Sequence, residues 1–202
     1  MKKWVFALVF FNTLTLHATG NSEAGQEKST VCAACHGAQG VSVNPDWPNL
    51  AGQHATYLVK QMLAYKQGEK RNNAIMMAMV NHLTSQDMDD LAAFYAKQPP
   101  ADIDASKANQ SRGKELYYGG DFNKHITACI ACHGPHGTGN EQAGFPVLSG
   151  QHAAYTRLQL QAFKDGKRSN DMNSIMRDIS ARMDTNDMKA VADYIAGLHS
   201  LT

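Results

Sequence analysis

Apolar residues recur three and four positions apart near the end of each half of the chain. They are Leu91, Phe94 and Tyr95 in the first half, and Val191, Tyr194 and Ile195 in the second. This spacing puts them on one face of an α-helix. Ser85 and Thr185 stand at the start of these segments and are predicted as N-caps, with Asp87 and Asp187 in the positive first turn.

Two further helices are predicted in each half. The first covers residues around Gly25–Val31 and Ser111–Tyr118. The second covers His54–Lys66 and His152–Lys164, which contain no proline or glycine. No segment alternates between apolar and polar residues as a strand would. The pattern therefore predicts an all-α fold.

The two halves also match residue by residue, which indicates an internal duplication. Trp47–Tyr57 parallels Phe145–Tyr155, and the offset between matched positions drifts only from 97 to 100. Between the copies, Gln98–Asp104 contains two prolines and reads as a linker. We expect two tandem domains, residues 21–102 and 103–202.

The N-terminus has the pattern of a signal peptide, predicted over residues 1–20. Lys2 and Lys3 precede an unbroken apolar run, Trp4–Phe11, and a small residue, Gly20, ends a plausible cleavage site. The mature chain is thus expected to be exported to the periplasm. Loss of the two lysines lowers Lys+Arg from 19 to 17 against 18 Asp+Glu. A net charge near −1 argues against nucleic-acid binding, which favours a basic face.

All four cysteines fall in two C-x-x-C-H sequences, the pattern of covalent haem attachment. The cysteines are Cys32, Cys35, Cys129 and Cys132, and the histidines that follow them are His36 and His133. Zinc clamps place such pairs closer together, and no βαβ pattern supports a thioredoxin-like dithiol. The motifs predict two haem c groups, each with a proximal histidine ligand to iron.

The ligand on the other side of each iron separates an electron carrier from an enzyme. Duplication reduces the candidate methionine ligands to the two pairs at equivalent positions, Met76 with Met176 and Met88 with Met188. Met76 and Met176 follow polar loops that could carry the chain across a haem face, so we favour them. Met88 and Met188 are expected to pack in the last helix. His54 and His152 also occupy equivalent positions in the two copies, so ligation of each iron by two histidines is an alternative.

Two other repeated features each allow more than one role. Pro48 and Pro146 could offer a backbone carbonyl to the proximal imidazole N–H, or could simply form turns. The basic stretches Lys66–Lys70 and Lys164–Arg168 are expected to be solvated helix ends, with a haem propionate contact or a docking patch as the alternative.

The chain resembles the dihaem cytochromes c4, two-domain class I cytochromes c of the bacterial periplasm. The resemblance covers nearly the whole mature chain. It includes Cys-Ala-Ala-Cys-His-Gly, the Pro-x-Leu-Ala/Ser-Gly-Gln segment, Ile-Met before the last helix, and the ending at 194–199. It implies His–Met ligation in each domain, with Met76 and Met176 as the methionines. It also implies a proline carbonyl, from Pro48 or Pro146, on each proximal histidine. Met77 and Met79 crowd the first ligand position.

The resemblance implies transfer of single electrons to a terminal haem-copper oxidase, and possible peripheral association with the membrane. The donor would be a quinol-oxidising membrane complex or another redox protein. One alternative is the cytochrome subunit of a dehydrogenase complex, which shares the chemistry and differs in its partner. A dihaem peroxidase is a further alternative, but matching His and Met in both copies argues against divided roles. We therefore expect an electron carrier rather than an enzyme.

Overall fold

The computed structural model describes residues 20–103 and 110–198, so the predicted signal peptide lies outside the described residues except for Gly20. Within these ranges the chain forms helices joined by loops, with isolated backbone bridges and no strand. The first half contains α1 (Ser22–Lys28), α2 (Thr30–His36), α3 (Ala55–Gln67), α4 (Ala74–Val80) and α5 (Ser85–Ala96). The second half contains α6 (Gln110–Gly119), α7 (Ile130–His133), α8 (Ala153–Lys164), a 3-10 turn (Met172–Ser174), α9 (Ile175–Ala181) and α10 (Thr185–Ala196). The predicted all-α fold is confirmed. None of the helices described here is long and apolar enough to span a bilayer.

Each half uses its last helix as the support for the others. In the first half α1 and α3 pack on α5, and in the second α6 and α8 pack on α10. The closest crossings are made at glycines: a Cβ on Gly25 would collide with the Asp90 carbonyl, and one on Gly113 with the Ala190 carbonyl. Only glycine allows the two backbones to approach this closely.

The predicted N-caps of the last helices are each displaced by one residue. Thr84 and Asp184 have the extended backbone that an N-cap requires, so Ser85 and Thr185 are the first helical residues. Each cap side chain accepts from the backbone N–H three residues on, at 3.1 Å for Thr84 and 2.9 Å for Asp184. The Asp87 and Asp187 carboxylates accept from the cap backbone in return, which completes a capping box in both domains. The prediction of Ser85 and Thr185 as N-caps is wrong because the residues before them, Thr84 and Asp184, can also cap a helix.

The first predicted helix is two helices in the structure. α1 ends at Lys28, Ser29 interrupts the chain, and α2 then leads directly into the haem motif. In the second half α6 covers the predicted Ser111–Tyr118, but a loop separates it from α7.

This loop is an insertion specific to the second half. Gly113 follows Gly25 by 88 residues, whereas Cys129 follows Cys32 by 97, so about nine residues are added between helix and motif. The loop is closed by paired backbone hydrogen bonds between Asp121 and Ile126, both 2.9 Å. Repeat matching over the later segments alone could not detect it.

Two equivalent glutamines join the domains. The Gln53 amide bonds to both the N–H and the C=O of Val147, each at 2.9 Å. The Gln151 amide does the same with Asn49, at 3.0 and 2.9 Å. A glutamine amide that donates and accepts in this way substitutes for a neighbouring peptide group. The Gly-Gln repeat of the sequence is therefore an interface motif.

The linker passes across this interface. Pro100 lies against Gly52 and Ala101 lies against Gly150, so closely that a Cβ on either glycine would collide with the linker. Both glycines also have a left-handed backbone, with φ of 69° and 66°. The conformation and the close approach together require glycine at these two equivalent positions.

Asp187 is the centre of an ion-pair cluster that holds the inserted loop. Its side chain is 4% exposed and contacts the Arg112 guanidinium at 2.8 Å and the Lys124 ammonium at 2.6 Å. Burial by itself would raise the pKa of Asp187, but the hydrogen bonds from Lys124 and Arg112 outweigh burial and hold that pKa below its ordinary value. The carboxylate therefore stabilises the fold while it is ionised.

We predict that D187N lowers the free energy of unfolding by about 2 kcal/mol at pH 7, because Arg112 and Lys124 lose a charged acceptor. A depressed carboxylate pKa gives stability that is present above the unfolded-state pKa and is lost as pH falls through the folded pKa. The difference between wild type and D187N should therefore shrink below about pH 4. Urea unfolding across pH measures it. The control D178N removes an exposed partner of Arg182 and should change little. An unchanged D187N curve would contradict the assignment.

Candidate haem centres

One continuous cavity of about 1570 Å³ extends through both domains. It is larger than the pockets that usually hold one small molecule. Side chains from both haem motifs line it, together with residues of α3 and α4 in the first half and α8 and α9 in the second. The space that each small helical domain fails to fill with its own side chains is thus shaped for large apolar groups.

The two predicted proximal histidines lie at the C-terminal ends of α2 and α7 and face this cavity. The Nδ1 atom of His36 is 2.9 Å from the Pro48 carbonyl, and that of His133 is 2.9 Å from the Pro146 carbonyl. A carbonyl can only accept, so Nδ1 carries the proton and Nε2 is left as a free donor of electrons to a metal. Burial lowers the pKa of both imidazoles, which the proline carbonyls only partly oppose. Both rings are thus kept neutral, as a ligand must be.

The four cysteines are half-buried free thiols on the same cavity. Burial raises the pKa of the Cys32 thiol, and it raises that of Cys129 to about 12. The two pairs lie in different domains, and no cluster of three or more potential metal-binding His, Cys, Asp or Glu residues occurs in ranges 20–103 and 110–198. Cysteine side chains beside an apolar cavity suit attachment to haem vinyl groups.

Met76 on α4 and Met176 on α9 both line the cavity. The rival methionines do not: Met88 and Met188 are each 1% exposed and belong to the packing of the last helices. His54 and His152 are also outside the cavity lining of the described chain. The Nε2 atom of His152 is 2.9 Å from the Ser42 carbonyl of the other domain, so it serves the interface.

Two buried arginines lie where the two halves of the cavity meet. Arg71 and Arg168 are 5% and 6% exposed, and each reaches a tyrosine of the other domain. The Arg71 guanidinium donates to the Tyr155 hydroxyl at 2.7 Å, and Arg168 donates to the Tyr57 hydroxyl at 2.7 Å. Their backbones pair in an antiparallel bridge. The interpretation of Lys164–Arg168 as a solvated helix end is therefore wrong for Arg168.

Neither arginine has a carboxylate partner among the residues that the structure describes. Each guanidinium lies over an aromatic ring, Arg71 over Tyr65 at 4.4 Å and Arg168 over Phe163 at 4.5 Å. A buried charge without a counterion is costly. Because both side chains line the cavity, the site fits a bound group that brings carboxylates, as haem does with its propionates.

Reasoning from the sequence missed Arg71, and it gave a haem propionate contact only as the alternative for Arg168. Arg71 follows the first basic stretch and Arg168 ends the second, and a one-residue length difference between the copies obscures their equivalence. The sequence signal that could have identified both arginines is a basic residue at equivalent positions of the two copies.

Comparison with known proteins agrees with this geometry. The family model described as Cytochrome c matches residues 22–98 and 110–199. Cytochrome c4 of Stutzerimonas stutzeri is 43% identical over 192 residues, 91% of each chain. The crystal structure of reduced recombinant cytochrome c4 from Pseudomonas stutzeri superimposes with a TM-score of 0.87 at 43% identity, covering 90% of this chain and 100% of that one.

A second kind of relative has a different name. The thiosulfate dehydrogenase electron acceptor of Thiomonas intermedia is 37% identical over 197 residues, 95% of this chain and 89% of that protein. These relatives are similar in length to this chain. Their names agree with the tandem domains, the histidine–proline pairs and the shared cavity described above. The chain belongs to the dihaem cytochrome c4 family, as an electron-transfer protein with two covalently bound haem c groups and no enzymatic role of its own.

Proposed function

We propose that each haem is attached and ligated by residues of its own domain. Thioethers form to Cys32 and Cys35 in the first domain and to Cys129 and Cys132 in the second. The proximal ligands are His36 and His133, each oriented by a proline carbonyl at 2.9 Å. The distal ligands are Met76 and Met176. Support for the methionines comes from their place on the cavity wall, which Met88, Met188, His54 and His152 do not share in the described structure.

The observation that carries the proposed function is the repeated His–Met set on one continuous cavity. When bound, each haem supplies one-electron oxidation and reduction of its iron. The protein residues hold both axial positions closed, exclude water and fix the two groups relative to each other. A soft thioether ligand favours the reduced iron and raises the potential. The arrangement is that of a two-centre electron relay.

We further propose that the protein acts in the periplasm, which fits the predicted signal peptide. Its acceptor is a terminal haem-copper oxidase, the partner that the resemblance to the cytochromes c4 implies. The dehydrogenase alternative is favoured by a specific observation, the similarity of this chain to two thiosulfate dehydrogenase electron acceptors. The two roles are compatible if the dehydrogenase is the donor.

Met76→His and Met176→His should each lower the potential of one haem, because imidazole favours ferric iron more than thioether does. Each variant should also lose about half of the methionine–iron charge-transfer absorption of the oxidised protein. Spectroelectrochemical titration measures both effects. A pyridine haemochrome assay that gives two haems per chain is the control for attachment. Survival of both signatures in either variant would reject that methionine as a ligand.

Arg71→Gln and Arg168→Gln should each lower the haem potentials by about 40 mV, because a positive charge that favours the reduced iron is lost. This corresponds to about 1 kcal/mol at an effective dielectric constant near 20 and a separation near 15 Å. Each arginine reaches across the interface, so both potentials should fall. Arg182→Gln, which removes a surface arginine, is the matched control. A change confined to one haem would contradict a shared role.

Stopped-flow mixing should separate the two partner assignments. The reduced protein is expected to be oxidised rapidly by a detergent-solubilised haem-copper oxidase, in a reaction that slows with added salt if charged patches guide docking. The oxidised protein is mixed in parallel with a thiosulfate dehydrogenase and thiosulfate. Fast reduction by the dehydrogenase without fast oxidation by the oxidase would show that the oxidase is not the acceptor.

A further inference from the structure

Helix α4 presents two sulfur atoms to the first haem cavity. Met76 and Met79 are three residues apart and therefore lie on the same side of the helix. Both line the cavity, together with Ile75 and Val80 of the same helix. Met77 is not among the described residues that line the cavity, and its terminal methyl lies against Gly68.

Met79 has the freedom to reach a new position. Its side chain lies outside both apolar core clusters of the described residues, in contrast to Met188. A methionine side chain has three rotatable bonds and adapts to irregular space. Met79 is therefore a cavity-facing thioether that no packing in the core immobilises.

No ion pair among the described residues holds helix α4. Its residues, Ala74–Val80, all have apolar side chains. Beyond packing, it is positioned by the Asn73 cap, whose side chain accepts from the Met76 N–H at 3.0 Å. A small rotation of such a helix needs no ion pair to break.

The second domain lacks this combination. Ile179 occupies the position equivalent to Met79 and offers no sulfur. Helix α9 is also fastened by Arg177, which bonds to Asp171 through its backbone N–H at 3.0 Å and its guanidinium at 2.8 Å. Met172 lines the cavity as well, but it precedes α9, separated from it by two residues with left-handed backbone.

We infer that Met79 is a reserve axial ligand for the haem iron of the first domain. The inference rests on the proposed ligation by Met76. If the Met76 sulfur were displaced from a bound haem, its bond to the iron would break and Met79 Sδ would take the same position. No electron or proton is exchanged. The first haem thereby keeps two protein ligands, whereas the second haem has one helix-borne sulfur.

The test uses leucine variants, since leucine keeps the volume of methionine and removes the ligating sulfur. In M76L the oxidised protein should retain nearly the full methionine–iron absorption, and its reduced form should bind little carbon monoxide. In M76L/M79L the absorption should fall to about half, and one haem should bind carbon monoxide. M62L/M76L is the matched control, because Met62 also lines the cavity but lies on α3. It should behave as M76L does.

The reference variant for the second domain is M172L/M176L, which retains Met79. It should lose about half of the methionine–iron absorption. An M76L protein that already loses half of the absorption and binds carbon monoxide would overturn the reserve role and leave Met76 as the ligand. Full absorption in M76L/M79L would instead overturn ligation by Met76 itself. Loss of half in M79L alone would make Met79 the native ligand and overturn both assignments. Haem content and far-ultraviolet circular dichroism confirm that each variant is folded.

Discussion

Two positive charges buried between the domains constrain the rest of this structure. Arg71 and Arg168 sit at the junction of the cavity, each bonded to a tyrosine from the opposite domain. A guanidinium cannot lose its proton at physiological pH, so its burial must be offset by hydrogen-bond acceptors, aromatic rings and anions placed around it. The glutamines, tyrosines and aromatic rings at the interface supply part of this compensation for the buried charge. The haem carboxylates are suited to supply the remainder, which links cofactor binding to domain docking.

Each domain solves the problem of a small core in the same way. A helix pair crossing at Gly25 or Gly113 gives a rigid base, and the capped last helix carries the apolar face. What remains is a cavity, because some 80 residues bury little apolar surface by themselves. In the proposed arrangement haem would fill that cavity, and the proline carbonyls would orient the imidazoles that hold it. The fold and the cofactor would then depend on each other.

Much of this was predictable from the sequence because the relevant signals are local or repeated. The C-x-x-C-H motifs are local, and the apolar periodicity of Leu91, Phe94 and Tyr95 gave the last helix. Duplication selected Met76 and Met176 as candidates, and the structure places both on the cavity wall. Cap positions were wrong by one residue because adjacent residues, such as Thr84 and Ser85, have similar cap preference and only the backbone conformation decides between them.

Features that depend on contacts between domains could not be predicted in this way. Nothing in the local sequence distinguishes Gln53 as a partner for the Val147 backbone, or Arg168 as a buried residue. Both acquire their role from residues about 100 positions away. The insertion after α6 was also hidden, since a comparison of later segments carries no information on an earlier length change.

The linker that lies over Gly52 and Gly150 has a thermodynamic consequence for the pair of domains. Because both belong to one chain, their docking is a unimolecular equilibrium with a high effective concentration, and dilution cannot separate them. An interface built from a few amide and guanidinium hydrogen bonds, each worth about 1 kcal/mol, is then sufficient. A modest, polar contact can thus keep two redox groups at a constant separation, which a pair of independent monohaem proteins would need a far larger surface to achieve.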